Sequence, residues 1–219
     1  MVDGNKDPFD FKSIQNKSKD DLIANGVLPK IRGVYKDEHP TFDAILLSHP
    51  HQDHYGLLSY VNPKIPIYLS QGCKELIGIS YYFGQTDCDL GNVEAVTMWE
   101  PFPKGNFLIT PYLVDHSGFD ALAFLIESEG KRIFYSGDFR GHGRKSILFD
   151  NMLRNPPKSI DYLILEGSML GRDKGKYLTE RDVENELTLL FKNQTGLFFL
   201  ACSSQNIDRL VSVYKACVR

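Results

Sequence analysis

Ala44-Ile45-Leu46-Leu47-Ser48-His49-Pro50-His51-Gln52-Asp53-His54 is an apolar run that empties into three imidazoles and a carboxylate. Consecutive apolar residues of this kind read as a buried strand, so the polar cluster emerges where that strand ends and a loop begins. In extended chain the side chains alternate, which puts His49, His51 and Asp53 on one side and lets His54 reach a second position. Neutral imidazole and carboxylate are the donors that zinc and similar divalent ions accept, and a cluster this rich serves two neighbouring ions more easily than one. The plain alternative is a polar turn with incidental histidines, which leaves so dense a group of imidazoles without a task.

The pattern repeats downstream. Asp115-His116-Ser117 follows the strand-like Phe107–Val114, Ser136-Gly137-Asp138 follows Arg132–Tyr135, and Glu166-Gly167-Ser168 follows Tyr162–Leu165. Each apolar, β-rich run ends in a potential ligand or acid/base group, and strand ends of an α/β fold converge on one rim. Taken singly, Asp138 is equally a turn residue and His116 a satisfied surface histidine. Together they form a site that uses four of the six histidines and leaves His39 and His142 over.

The order His49-x-His51-x-Asp53-His54, then His116, then Asp138 resembles the metallo-β-lactamase fold, a superfamily of metal-dependent hydrolases. The resemblance implies an α/β chain in a four-layer αβ/βα arrangement. It implies two divalent ions, zinc by the His/Asp donor set with manganese as the other candidate. His49, His51 and His116 would hold one ion, Asp53 and His54 the second, and Asp138 would bridge them. The stretches Val114–Phe124, Phe134–Arg140 and Leu165–Arg172 are similar to the β-CASP nucleases, a group with ribonuclease J-like and RNA 3′-end-processing members. That likeness implies hydrolysis of RNA phosphodiester bonds, exo- or endonucleolytic, by a hydroxide bridging the two ions. Asp53 and Glu166 would be the catalytic carboxylates, Glu166 as a proton relay outside the ligand set. A solvated strand-end carboxylate is the plain reading of Glu166.

Thr179-Glu180-Arg181-Asp182 has the form of a helix start, with Val183, Leu187, Leu190 and Phe191 following at helical spacing. Leu197–Ala201 reads as a buried strand ending in Cys202-Ser203-Ser204. A second helix is expected from Gln205-Asn206, with Ile207, Leu210, Val211 and Tyr214 on its apolar face. By resemblance, residues 1–170 are the metallo-β-lactamase domain, without its usual N-terminal strand pair, and 171–219 begin a β-CASP domain. The family pattern has further histidines after that inserted domain, and the sequence through Arg219 supplies none, so the chain is expected to be a truncated member. Ser203, Ser204 and Asn206 at a helix start could hold a phosphate, and ordinary capping explains them as well.

The 219 residues are 42% hydrophobic with a formal net charge of −3. A transmembrane run and a signal peptide are absent from this pattern, so a cytoplasmic protein without membrane contact is expected. Cys73, Cys88, Cys202 and Cys217 lack ligand spacing and read as reduced, mostly buried thiols. The negative charge argues against nucleic acid, whose binding relies on lysine and arginine. Against that, Arg140, Arg144 and Lys145 follow Asp138, and Arg172, Lys174 and Lys176 follow Glu166, as candidate phosphate contacts or merely a solvated face. Tyr55, Tyr81, Tyr82 and Phe83 could stack on bases, with core packing the better expectation. Single-stranded RNA is the expected partner, and a homo-oligomer or an RNA-processing complex the expected setting. Two other readings stay open: a hydrolase of small esters, thioesters or lactones on the same fold, and a non-catalytic subunit of RNA processing.

Overall fold

The computed structural model describes residues 17–171, 175 and 177–219. Strands β1 (Ile45–Leu46), β2 (Ile67–Leu69) and β3 (Val93–Ala95) form a parallel three-stranded sheet in the order β1-β2-β3. A five-stranded sheet follows in sequence order, β4 (Phe102–Lys104), β5 (Phe107–Leu113), β6 (Leu122–Ser128), β7 (Lys131–Tyr135) and β8 (Tyr162–Ile164). Its pairs are antiparallel except β7 with β8. α1 (Lys19–Ala24), the turn α2 (Gln52–Tyr55), α3 (Gln71–Tyr82), α4 (Ser146–Arg154), α5 (Glu180–Asn193) and α6 (Ile207–Cys217) complete the chain.

The alternation along β6 explains the layering. Leu122 and Phe124 face Ile109, Leu46, Val96 and Phe102, so the two sheets bury their inner faces against each other. Ala121, Ala123 and Leu125 face the other way, onto Phe134, Phe139, Met152 and Ile160 beneath α4. On the far side, α3 lays Cys73 and Ile77 on Leu47, Ile67 and Leu69. The result is helix, sheet, sheet, helix, the αβ/βα arrangement expected from the sequence. Ser70 starts α3 by accepting from the Cys73 N–H at 3.2 Å while its own hydroxyl donates to Asp120 O at 2.7 Å. A cavity of about 460 Å³ lies between α4 and the sheet, lined by Phe134, Phe139, Leu148, Met152, Ile160 and Leu163 among others. Among the described residues no helix is long and apolar enough to cross a membrane.

Several expectations need correction. Leu197–Ala201 forms no strand; all five residues are exposed, and none of them joins a strand ladder or bridge among the described residues. Tyr81, Tyr82 and Phe83 close α3 as expected for a helix but project outward, because the inward stripe is Cys73, Ile77 and Ser80. α6 buries Asp208, Ser212 and Ala216 and leaves Leu210 and Tyr214 exposed, so its packed face is polar and not the apolar one the spacing suggests. Of the thiols, Cys73 and Cys88 are buried but Cys202 and Cys217 are exposed; all four are free. No strand precedes β1 among the described residues, and Arg172, Lys174 and Lys176 lie outside them.

Phe124, fully buried between the sheets, should cost about 3–5 kcal/mol on substitution by alanine. Phe199→Ser, at a side chain 95% exposed, should change stability by less than about 0.5 kcal/mol. Urea unfolding midpoints of the two variants measure the contrast.

Candidate metal centre

Ser48, just past β1, ties the first sheet to the second. Its carbonyl accepts from the Leu122 N–H at 2.8 Å, so the residue after it emerges between the two sheets. The chain bends at Pro50, His51 is extended, and a single helical turn begins at Gln52. The turn changes what extended chain would give. Within it the His54 side chain is 24% exposed and that of Asp53 is 75% exposed, at the rim of the cluster. Asp53 Oδ2 stays 3.6 Å from His54 Nε2, and its charge acts on His51 and Asp138.

His116 arrives from the end of β5 and Asp138 from the end of β7, each just past its strand. Gly137 makes the second arrival possible. Its φ is +56°, and a Cβ there would meet Leu122 O at 2.7 Å and Ser48 Cβ at 2.9 Å. The four imidazoles then gather closely: ring centroids lie 4.8 Å apart for His49 and His51, 4.0 Å for His49 and His54, and 4.6 Å for His49 and His116. Two donor groups result, His49 with His51 and His116, and His49 with His54 and Asp138, each with donor atoms within 4.8 Å of one another. Asp138 Oδ2 stands 3.4 Å from His54 Nε2 and 3.8 Å from His49 Nε2, the other two members of its group.

The chemistry of these donors fits a divalent cation. His49 is fully buried, its Nδ1 meets Ser48 Oγ at 3.0 Å, and its Nε2 has no hydrogen-bond partner among the described residues. The tautomer protonated on Nδ1 donates to Ser48 and leaves the Nε2 lone pair aimed at the other ligands. Burial first, then the neighbouring imidazoles, pushes the His49 pKa down to about 2. His116 falls to about 3, again by burial and then by His51 and Arg140. His51 is also lowered by burial, against the pull of Asp53. Burial thus favours the neutral form of these three rings, the form metal ligation requires. Burial raises the Asp138 carboxyl, an effect opposed by His54 and reinforced by Glu166.

Glu166 lies beside the cluster. Its Oε1 accepts from the Phe139 N–H at 3.0 Å, its Oε2 from the Ser168 hydroxyl at 2.7 Å, and its own N–H donates to Ser136 Oγ at 3.2 Å. The basic trio is placed differently from a free phosphate site. Arg140 faces Asp115 and Asp208, Arg144 pairs with Glu184, and Lys145 reaches Asp208 at 3.4 Å. Asn206 caps α6 by accepting from the Arg209 N–H at 3.2 Å, while Ser203 and Ser204 are exposed. Tyr55 is core, not a stacking platform. Sequence reasoning assigned Ser48 no role, although it sits directly before His49.

A family model described as "Beta-lactamase superfamily domain" matches residues 20–189. The chain is similar to Ribonuclease J of Mycobacterium tuberculosis (strain ATCC 25618 / H37Rv), 26% identical over 204 residues that cover 88% of this chain and 35% of that protein. It is similar to Ribonuclease J of Helicobacter pylori (strain ATCC 700392 / 26695), 25% identical over 180 residues that cover 78% of this chain and 25% of that protein. The chain thus spans 35% or less of the length of these two relatives. A solved protein of unknown function from Enterococcus faecalis V583 shares the fold, with TM-score 0.78, 20% identity and coverage of 98% of this chain and 55% of that one.

Buried neutral histidines also set a pH dependence. His49 and His116 stay unprotonated in the fold down to about 2 and about 3, but titrate at their ordinary 6.5 when unfolded. The unfolded chain binds the extra protons, so metal-free stability is complete above about pH 6.5 and falls as pH drops toward about 3. Each histidine contributes a slope of up to about 1.4 kcal/mol per pH unit. Urea midpoints across that window should decline, and less steeply in His49→Phe; a flat profile contradicts the neutral cluster.

Proposed function

The chain belongs to the β-lactamase superfamily, matched over residues 20–189, and on that premise we propose that it is a metal-dependent hydrolase of RNA phosphodiester bonds. The observation that carries the hydrolase reading is the pair of donor groups sharing His49, with Asp138 between His49 and His54. The RNA reading is supported by the similarity to proteins named Ribonuclease J, and with it the β-CASP identity of residues 171–219. Two ions are proposed, zinc by the imidazole-rich set: His49, His51 and His116 for one, His54, Asp138 and the exposed Asp53 for the other. Divalent ions there would supply Lewis-acid polarisation of a phosphoryl oxygen and acidify water toward neutral pH.

The protein's own groups do the rest. Ser48 fixes the His49 ring, and Ser117 Oγ lies 3.4 Å from His51 Nε2. Glu166 holds the Phe139 N–H and so the loop that carries Asp138, and as a half-buried carboxylate it is the proposed proton acceptor. Arg140, Arg144 and Lys145 are left with only the N–H groups that their carboxylate partners do not use, so the exposed Ser203 and Ser204 are the freer phosphate contacts. Single-stranded RNA, a cytoplasmic setting and assembly with a second copy or an RNA-processing complex belong to the same proposal. The engaged basic loop favours a second reading, hydrolysis of a small ester or thioester, which needs no cationic track.

End-labelled, 5′-monophosphorylated single-stranded RNA with added zinc or manganese should be cut by the chain, and Asp138→Ala should reduce cutting to the level of metal-free protein while lowering bound metal. Turnover of a chromogenic ester without RNA cleavage would transfer the assignment to the second reading. Metal-loaded protein inert toward both would remove hydrolysis from this chain.

A further inference from the structure

We propose that Asp208 on α6 is a positioning residue for the metal centre, acting through Arg140 on the loop that carries Asp138 and through Asp115 on His116. The proposal rests on the metal-centre reading above and goes beyond it, because it makes the α5/α6 pair a determinant of ligand geometry.

The contacts run in one unbroken chain. Asp208 is the second residue of α6, and its side chain is 8% exposed. Its carboxylate accepts from Arg140 Nη2 at 2.6 Å, from the Arg144 backbone N–H at 3.1 Å and from Lys145 Nζ at 3.4 Å. Arg140 lies two residues after Asp138, and its Nε points at the fully buried Asp115 carboxylate 3.5 Å away. The Arg140 N–H donates to Asp115 O at 2.7 Å, and the Gly143 N–H donates to the Asp115 carboxylate at 2.7 Å. Gly143 leaves room for this, since a Cβ there would run into both Asp115 and Arg140. Asp115 immediately precedes His116.

A second contact reaches the same strand end. Gly118, two residues past His116, forms an antiparallel bridge with Asn206 at the start of α6. The first turn of α6 therefore touches both loops that deliver ligands from the five-stranded sheet. One planar guanidinium gripping two buried carboxylates has its plane fixed, and with it the backbone leaving Asp138. Lysine carries the same charge without that fork. The neighbouring pairs differ in reach: Glu184 binds Arg144 and Arg219, and Glu180 binds Arg209, holding the helices together without gripping Arg140 or Asp115 in this way.

The test compares the chain with Asp208→Asn, Asp208→Glu, Arg140→Lys and Glu184→Gln, by zinc competition titration, the visible spectrum with cobalt(II), and thermal unfolding. Asp208→Asn should weaken zinc binding about 10- to 100-fold and change the cobalt spectrum, and Asp208→Glu should recover part of both. Glu184→Gln should lower the unfolding midpoint and leave affinity and spectrum as in the unaltered chain. If Asp208→Asn does not fold, Arg140→Lys decides by the same readings. Zinc affinity and cobalt spectrum unchanged in the folded Asp208 or Arg140 variant would overturn the positioning role, as would an equal loss of affinity in Glu184→Gln. An unaltered chain that binds neither ion would instead overturn the metal-centre reading itself.

Discussion

Everything at the strand ends is arranged around one buried nitrogen. His49 is fully enclosed, and its Nε2 has no hydrogen-bond partner among the described residues. Leaving such an atom unsatisfied costs about 1–3 kcal/mol, and three more imidazoles and a carboxylate face the same space. A fold keeps that cost only where the surrounding packing over-determines it. Here the packing is the junction of the two sheets: Ser48 O held by the Leu122 N–H, and Gly137 in the left-handed region so that the chain can pass within van der Waals contact of both. The sandwich sets the spacing of the ligands, and a divalent ion is the natural partner for the lone pairs left over.

The polar interior of the C-terminal helices follows a different logic. α5 and α6 bury Glu180, Glu184, Asp208 and Ser212 and expose leucines. Carboxylates removed from water demand cations, and Arg140, Arg144, Lys145, Arg209 and Arg219 answer them. This also accounts for a chain with net charge −3 that nevertheless places a run of basic residues beside its site. Those cations are structural counter-ions first, so the surface they offer to a phosphate is smaller than the sequence suggests.

What could be read from the sequence divides along the same line. The gathering of His49, His51, His54, His116 and Asp138 was legible because they lie in the segments that follow three apolar runs, and strand ends of an α/β fold meet at one rim whatever the detailed packing. Asp53 stands at the exposed rim of the cluster, in the single helical turn at Gln52–Tyr55, a local feature that strand alternation alone does not show. The inward faces of α3 and α6 were misread because apolar spacing has no means of showing that Ser80, Asp208 and Ser212 are satisfied inside. Leu197–Ala201 has the composition of a strand, but a strand exists only beside another one, and pairing is a property of the neighbour.

Hydrophobic burial and ionic pairing thus act on the centre at different ranges. The inter-sheet core, through Leu122 and Phe124, brings four strand and turn ends into one volume with a precision set by backbone hydrogen bonds. It does not fix the loop after Asp138, which leaves the sheet and has Phe139 on one side of α4 and Arg140 on the other path toward α6. Apolar contact is non-directional and would tolerate a sliding of that loop. A guanidinium shared by two buried carboxylates does not, because its hydrogen bonds weaken steeply with angle. Directionality is what a metal site needs from its surroundings, and in this chain it comes from charged groups drawn from both the sheet and the C-terminal helices.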